Sequence, residues 1–318
     1  MTDPFFIQGP ALISFSGGRT SAYMLWRILQ AHGGSLPDDV HVAFANTGKE
    51  REETLRFVHE CATRWNVRVR WLEWVPHSLK VPFADRFAEV GMNSASRFGE
   101  PFEGLVAKKG YLPNAVTRFC TSELKVRVMT HFMRSLGVDY WQNIVGLRAD
   151  EPRRVAKVYG HVTDAGDPLP DLLRAIQKGP AKRRKRERWT TALPLALAGV
   201  TRRDVLTFWF GKPTIDLRIL PNNLPQGFDL GLDDYEGNCD QCFLKAFAKL
   251  CAVESKRPGT ADWWSGQEIK IGGRFVTEYS YAELQDAVQR QGRLFDWSVV
   301  DSTEREHDAE CGAWCAGA

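Results

Sequence analysis

Two short stretches of the chain carry residue types that do chemistry, at spacings suited to it. The first is Ser16-Gly17-Gly18-Arg19-Thr20-Ser21, which follows the apolar run Ala11-Leu12-Ile13 and leads into Ala22-Tyr23-Met24-Leu25-Trp26. As strand, glycine turn and helix, it aims backbone N–H groups and hydroxyls at one point on a helix N-terminus, where an anion is favoured. Phosphate is the expected anion. No G-x-x-x-x-G-K-[ST] is present and the G-x-G-x-x-G spacing is missing, so neither common nucleotide fingerprint applies. The second stretch is Cys239-Asp240-Gln241-Cys242. A C-x-x-C suits zinc, an iron–sulfur cluster or a working dithiol. Zinc would need two more ligands of similar pairing, and the sequence holds no second C-x-x-C and no H-x3–5-H.

These groups need a scaffold, and the first half of the chain supplies an alternation of strand-like and helix-like segments. "ALISFS" precedes a helix expected from about Thr20 to His32, and "DVHVAFANTG" precedes "EREETLRFVHECATRWN", whose acidic first turn suits the helix dipole. "VRVRWLEWV" is a third strand, the stretch from Lys80 to Asn114 is irregular with short helices, and "TSELKVRVMTHFMRSLG" is a helix ending at Gly137. "NIVGL" is a further strand. This pattern predicts an α/β fold, a parallel twisted sheet with helices on both faces. Ligands of such sheets sit at the carboxyl ends of the strands, so the regions of Ser16, Asn46 and Arg148 are expected to converge on one crevice.

Beyond Gly160 the pattern stops in a Pro- and Gly-containing stretch with the basic run "AKRRKRER". Thr201 then caps a helix expected over Arg202 to Phe210, paired cysteines precede another helix between Gly237 and Pro258, and "SYAELQDAVQRQG" is a last amphipathic helix. The expected organisation is a nucleotide-binding core over 1–158, a basic insertion or loop over 159–190, a mainly helical cysteine-bearing part packed on the core over 191–300, and a mobile cysteine-containing tail over 301–318.

The bulk numbers fit this plan. A chain of 318 residues, 43% apolar and 25% charged, can bury one large α/β domain with an appendage. A net charge of +3 names no nucleic-acid or membrane partner by itself. The N-terminus "MTDPFFIQGP" reads as no signal peptide, and no apolar run approaches the ~20 residues of a membrane helix. Seven cysteines, an odd count, point to thiol, metal or redox chemistry in the cytoplasm rather than a disulfide framework.

The turn "SGGRTS" resembles the S-G-G-x-[DST]-S element of the PP-loop ATP pyrophosphatase (adenine nucleotide α-hydrolase-like) superfamily. That group includes adenylating enzymes that release pyrophosphate and the phosphoadenosine phosphosulfate (PAPS) reductases. "FANTGKEREET" is similar to the second-strand segment of PAPS reductase-like proteins, where Asn-Thr-Gly borders the adenosine. "RFCTSELKVRVM" resembles their cysteine-then-lysine element, and "VGLRADEPRR" resembles G-[IL]-R-x-x-E, which brings an arginine to the phosphates. The four elements come in the family's order over Ala11 to Arg154, and the likeness resumes over Leu193 to Lys245. It implies a nucleotide held by Ser16, Gly17, Gly18, Arg19, Thr20, Ser21, Asn46, Thr47, Gly48 and Arg153, with Lys125 and Arg148 acting on the charge that develops in the reaction. Thr20 departs from the aspartate of many ATP-using members, which bears on a magnesium ion beside ATP. True PAPS reductases, in turn, generally lack the Gly-Gly pair kept here.

The resemblance also gives the cysteines roles. In cluster-bearing adenylylsulfate reductases the element around Cys120 and a later C-x-x-C hold a [4Fe–4S] cluster, which implies Cys120, Cys239 and Cys242 as ligands here. A fourth would come from Cys315, Cys311 or Cys251. Glu310-Cys311-Gly312 is similar to the C-terminal Glu-Cys-Gly of PAPS reductases, whose cysteine is nucleophilic, so Cys311 is a second catalytic candidate. Cys61 and Cys251 fall in helical stretches and read as buried apolar residues. The expected protein is a PAPS reductase-family enzyme that binds ATP, adenylyl sulfate or PAPS and performs sulfonucleotide reduction or adenylation-dependent sulfur transfer, with a thiol or other sulfur donor as partner. The rival expectation is a nucleic-acid-binding module with a regulatory nucleotide pocket and no turnover, gripping phosphates through Lys182, Arg183, Arg184, Lys185 and Arg186.

Overall fold

The computed structural model describes residues 3–158, 188–217, 220–237 and 239–291. Six strands form a single sheet in the order β4-β3-β2-β1-β5-β6. They are β1 (Ala11–Ser14), β2 (Val40–Asn46), β3 (Val69–Trp74), β4 (Phe87–Val90), β5 (Trp141–Ile144) and β6 (Trp189–Ala192). All neighbouring pairs run parallel except β3 and β4, which are antiparallel. The expected α/β class holds in its coarse form, a mostly parallel sheet covered by helices. The antiparallel edge strand β4 departs from the all-parallel expectation. β6 spans the boundary expected at residue 190 and pairs with β5 in register from Trp141–Trp189 to Ile144–Ala192.

Alternation along the central strands sends side chains to both faces, and each face has its own core. Ala11, Ile13 and Phe15 join Val42 and Phe44 beneath α1 (Arg19–Ala31) and α2 (Glu52–Arg64). Leu12, Ala43, Ala45 and Leu72 face the other way. They pack with residues of α3 (Glu100–Lys109), and with the chain of α4 (Phe119–Thr121), a π-helical segment over Ser122–Arg127, and α5 (Val128–Ser135). After α6 (Pro152–Val158) and β6 come α7 (Pro194–Leu197) and α8 (Arg202–Phe210). As expected, Thr201 caps α8, and its hydroxyl and N–H both bond Asp204 in a capping box. Trp209 and Phe210 of α8 close the first core, whereas α9 (Phe247–Lys256), α10 (Asp262–Ile271) and α11 (Tyr281–Gln291) close the second. Among the described residues no helix is long and apolar enough to cross a membrane.

One buried histidine of this scaffold gives the fold a pH dependence. Burial lowers the His131 pKa to about 4 from 6.5, with repulsion from His77, Arg86 and Arg127 adding to it, and its Nδ1 has no hydrogen-bond partner. A native histidine that resists protonation stabilises the fold above its ordinary pKa, and the unfolded chain gains protons first as pH falls through that window. Urea unfolding at pH 5 should therefore show about 2 kcal/mol less stability from this group than at pH 7. His131→Leu should flatten that slope, and an unchanged slope would refute the assignment.

Candidate functional site

The strand order reverses beside β1. The chain winds from β1 through β2 to β3 on one side and then places β5 on the other side of β1. The loops after β1 and β5 therefore leave the sheet in opposite directions, and a crevice opens between them at the carboxyl edge. The glycine turn lies there. Gly17 has φ +77, and a Cβ on it would lie 2.7 Å from Thr54 Cγ2 of α2, so conformation and space both demand glycine. Gly18 is the N-cap of α1 and uses no side-chain cap, and the first turn carries no acidic residue. The positive end of this helix dipole is thus left uncompensated. Ser16 is exposed at the turn, its Oγ donates to Ser21 Oγ at 2.9 Å, and Ser21 Oγ donates to the Gly18 carbonyl at 2.9 Å.

From the β5 side, the chain passes α1 at Gly146, where a Cβ would come into van der Waals contact, 3.4 Å from Ser21 Cα. Two residues on, Arg148 reaches across the crevice, and its Nη1 donates to Thr20 Oγ1 at 3.1 Å. Its Nε donates to Asp150 at 2.8 Å, and Glu151 accepts its backbone N–H at 2.9 Å. The sequence-predicted Ser16, Gly17, Gly18, Thr20, Ser21 and Arg148 are therefore brought together.

Arg19 and Arg153 are placed otherwise. The Arg19 guanidinium turns away from the turn into a buried bidentate pair with Asp229, at 2.7 and 2.6 Å, and lies 5.2 Å over the Phe210 ring. Its side chain is an anchor for the chain beyond β6, which leaves only its backbone at the turn. Arg153 of α6 is exposed, while its neighbour Arg154 is buried and paired with Glu151. A dipeptide Arg-Arg gives no sequence signal for which member faces inward.

The second strand ends in a tight polar knot. Asn46 is fully buried, its Nδ2 donates to Glu73 at 2.6 Å and to the Ser96 carbonyl at 2.9 Å, and its Oδ1 accepts the Gly48 N–H at 3.2 Å. Glu50 accepts the N–H and hydroxyl of Thr47 at 2.7 and 2.8 Å. The Lys125 ammonium, carried by the π-helical segment, lies 3.8 Å from the other Glu50 oxygen. A π-turn inserts one residue per turn and re-aims its side chains, a device common at functional sites.

The C-x-x-C docks on this knot. Glu50 and Cys239 form an antiparallel bridge, the Asp240 N–H donates to the Lys49 carbonyl at 2.8 Å, and Lys49 pairs with Asp240 at 3.0 Å. Thr47 Oγ1 and Cys239 Sγ are 3.5 Å apart, and because that hydroxyl already donates to Glu50, the thiol is the donor. Burial pushes the Cys239 thiol well above its ordinary range, helped by the Glu50 charge and opposed by Lys125. Lys245 is buried under the same turn, donates to the carbonyls of Cys239 and Asp240 at 3.1 and 3.3 Å, and has its pKa lowered by burial. Cys120 and both C-x-x-C thiols belong to one apolar cluster. Cys61 and Cys251 are fully buried among apolar neighbours, as expected.

Among the described residues no group of three or more His, Cys, Asp or Glu side chains is arranged to hold a metal ion. These residues taken alone do not assemble the cluster ligands that the resemblance implies. Cys311 and Cys315, and the basic run Lys182, Arg183, Arg184, Lys185 and Arg186, lie outside the described residues. Sequence reasoning missed Glu50, Glu73, Asp229 and Lys245. Glu50 had a signal, a charged residue just past a strand's carboxyl end, but Asp229 stands 210 positions from the arginine it meets.

The fold and crevice define an α/β protein with a candidate anion site at a strand-order reversal. No family model matches the sequence. An uncharacterized nin region protein, ORF290, of Escherichia phage lambda is similar to it, with 25% identity over 257 residues covering 75% of this chain and 67% of that protein.

The Arg19–Asp229 pair anchors both α1 and the later chain, so breaking it should be costly. Asp229→Asn leaves a buried guanidinium with only Asp234, 3.9 Å away, as counter-charge, and urea unfolding should show a loss of about 3 kcal/mol. A loss under about 1 kcal/mol, the size of an exposed pair, would contradict the anchoring role.

Proposed function

We propose that this protein is an enzyme of the PAPS reductase family with an adenine nucleotide α-hydrolase-like core, which binds an adenine nucleotide and carries out sulfur chemistry on it. The observation that carries the reading is the bond from Arg148 to Thr20 across the reversal point, which sets a guanidinium beside the hydroxyls and N–H groups of the glycine turn. The phosphates of ATP, adenylyl sulfate or PAPS are assigned to Ser16, Gly17, Gly18, Thr20 and Ser21, and the adenosine to the loop of Asn46, Thr47 and Gly48. Arg148 meets the phosphates as a charge-assisted donor held in place in advance by Asp150 and Glu151.

Lys125 stands between that loop and the C-x-x-C, where it offsets negative charge in the bound nucleotide or on sulfur. The Cys239 thiol lies beside the loop, 3.5 Å from Thr47 Oγ1. A [4Fe–4S] cluster would supply electrons to a sulfonucleotide or hold the sulfur to be transferred. Of the residues the resemblance implies for it, Cys120, Cys239 and Cys242 are described, and among the described residues no group is arranged to hold a metal ion. Thr20, whose hydroxyl accepts from Arg148, would offer only a neutral ligand to magnesium carried in with ATP.

Calorimetry of the full chain with ATP, adenylyl sulfate and PAPS should give saturable heat with at least one of them. Sulfite release from the sulfated nucleotides identifies a reductase, and pyrophosphate release from ATP identifies an adenylating sulfur transferase. Arg148→Met should weaken the bound nucleotide about tenfold or more, as expected for a lost charge-assisted hydrogen bond, and leave adenosine binding unchanged. Silence with all three compounds would overturn the proposal.

A further inference from the structure

Glu73 ends β3 as a buried carboxylate, 6% exposed, and among the described residues no lysine or arginine pairs with it. Its charge is met by hydrogen bonds, and the Arg97 guanidinium is near enough to feel it. One oxygen accepts Asn46 Nδ2 at 2.6 Å and the Ser96 N–H at 2.7 Å, and the other accepts the Ser96 hydroxyl at 2.7 Å. A leucine of similar size would be cheaper to bury, because a carboxylate taken from water costs several kcal/mol before its bonds are counted. What the carboxylate does that leucine cannot is tie three segments together: the end of β2, the end of β3 and the chain from Gly91 to Gly99.

The third of these segments presses on the adenosine-side loop. Gly99, at φ +88, lies against Gly48, where an added Cβ would meet Gly99 Cα at 3.1 Å and Pro101 Cδ at 2.9 Å. The loop of Asn46, Thr47 and Gly48 is thus fixed from within by Asn46 and from outside by Gly99, and Glu73 holds both. Both Asn46 amide donors are already spent on Glu73 and the Ser96 carbonyl. Thr47 is 1% exposed and its hydroxyl is engaged by Glu50 and the Lys49 N–H, so what this loop offers a ligand is backbone, in a shape set beforehand.

We infer that Glu73 is a positioning residue for the nucleoside end of the site, shaping the Asn46–Gly48 loop for an adenine nucleoside without touching it. This rests on the nucleotide reading of the crevice. Preformed loops bind more tightly because the ordering cost is met before the ligand arrives. Releasing Glu73 should then weaken the nucleoside end and spare the phosphate end, which sits across β1 on the glycine turn.

The test is calorimetry of the full chain with two probes, adenosine and inorganic pyrophosphate. Glu73→Gln keeps the size and removes the charge; with its amide oxygen kept toward Asn46 Nδ2 and the Ser96 N–H, its NH2 takes the place of the acceptor of the Ser96 hydroxyl. It should weaken adenosine about tenfold and change pyrophosphate less than about twofold, the split expected when one buried acceptor is lost from a local network. Ser96→Ala removes one donor and should weaken adenosine alone by about threefold; it decides the matter if Glu73→Gln does not fold. Equal losses for both probes would show a merely structural role and overturn the inference, as would unchanged adenosine affinity in a variant of a protein that binds adenosine. A wild-type protein that binds neither adenosine nor ATP would instead sink the nucleotide reading itself, and the inference with it.

Discussion

The organisation of this molecule depends on a constraint of connectivity: β1 is flanked on both sides by parallel partners, and the chain reaches those partners by winding in opposite directions. Parallel neighbours need crossovers, and crossovers of one hand that leave a strand on both sides must part at its carboxyl end. The gap costs nothing extra once the strand order is set. What the sequence must then do is line it. Gly17 allows the β1 chain to turn hard against α2, the β5 chain passes α1 at Gly146, and the polar groups of the two loops meet as Thr20 and Arg148. Gly17 is required by a close approach and a positive φ, whereas a Cβ on Gly146 would make only van der Waals contact with α1.

The C-terminal part is fastened to that edge by polar contacts. Arg19 reaches from the first turn of α1 to Asp229, and Glu50 bridges to Cys239 while Lys49 takes Asp240. Buried pairs of this kind contribute little over well-packed apolar groups, but they tolerate only one register. Together they bring the C-x-x-C against the loop after β2 rather than elsewhere on the surface. The second apolar core, with Trp264, Phe275 and Tyr281, supplies the bulk of the adhesion behind them. Adhesion and placement are thus divided between different groups.

How much of this the sequence revealed follows from the range of the interactions. The helices α1, α2 and α8 and the central strands were legible because their signals are local: apolar periodicity, an acidic first turn, a threonine cap. The edge strands β4 and β6 were not, because four-residue strands at a sheet margin are half-buried and show no clean alternation. The glycine turn could be read because its motif is contiguous. Arg19 was assigned to the ligand on motif position alone, and a partner 210 residues away took its side chain. Glu73 sits in "WLEW" as an ordinary strand glutamate, and its role emerges only when Ser96 and Asn46 arrive beside it.

Thr20 shows how a change of residue type at one motif position alters what a site can hold. An aspartate there would add a third carboxylate beside Arg148, which already pairs with Asp150 and Glu151. Threonine accepts the Arg148 hydrogen bond without adding negative charge, and the carboxylates that orient Arg148, Asp150 and Glu151, come from its own loop. Asp150 also accepts the Arg202 N–H at 2.8 Å, and Glu151 binds Arg154, so both acids are partly engaged elsewhere. The N-terminus of α1 and Arg148, the latter paired with Asp150 and Glu151, are the groups at the mouth of the crevice that favour an anion. A metal-bridged phosphate gains from aspartate, whereas a phosphate met directly by backbone and guanidinium gains from threonine. On the nucleotide reading proposed above, the turn of this chain suits the second case.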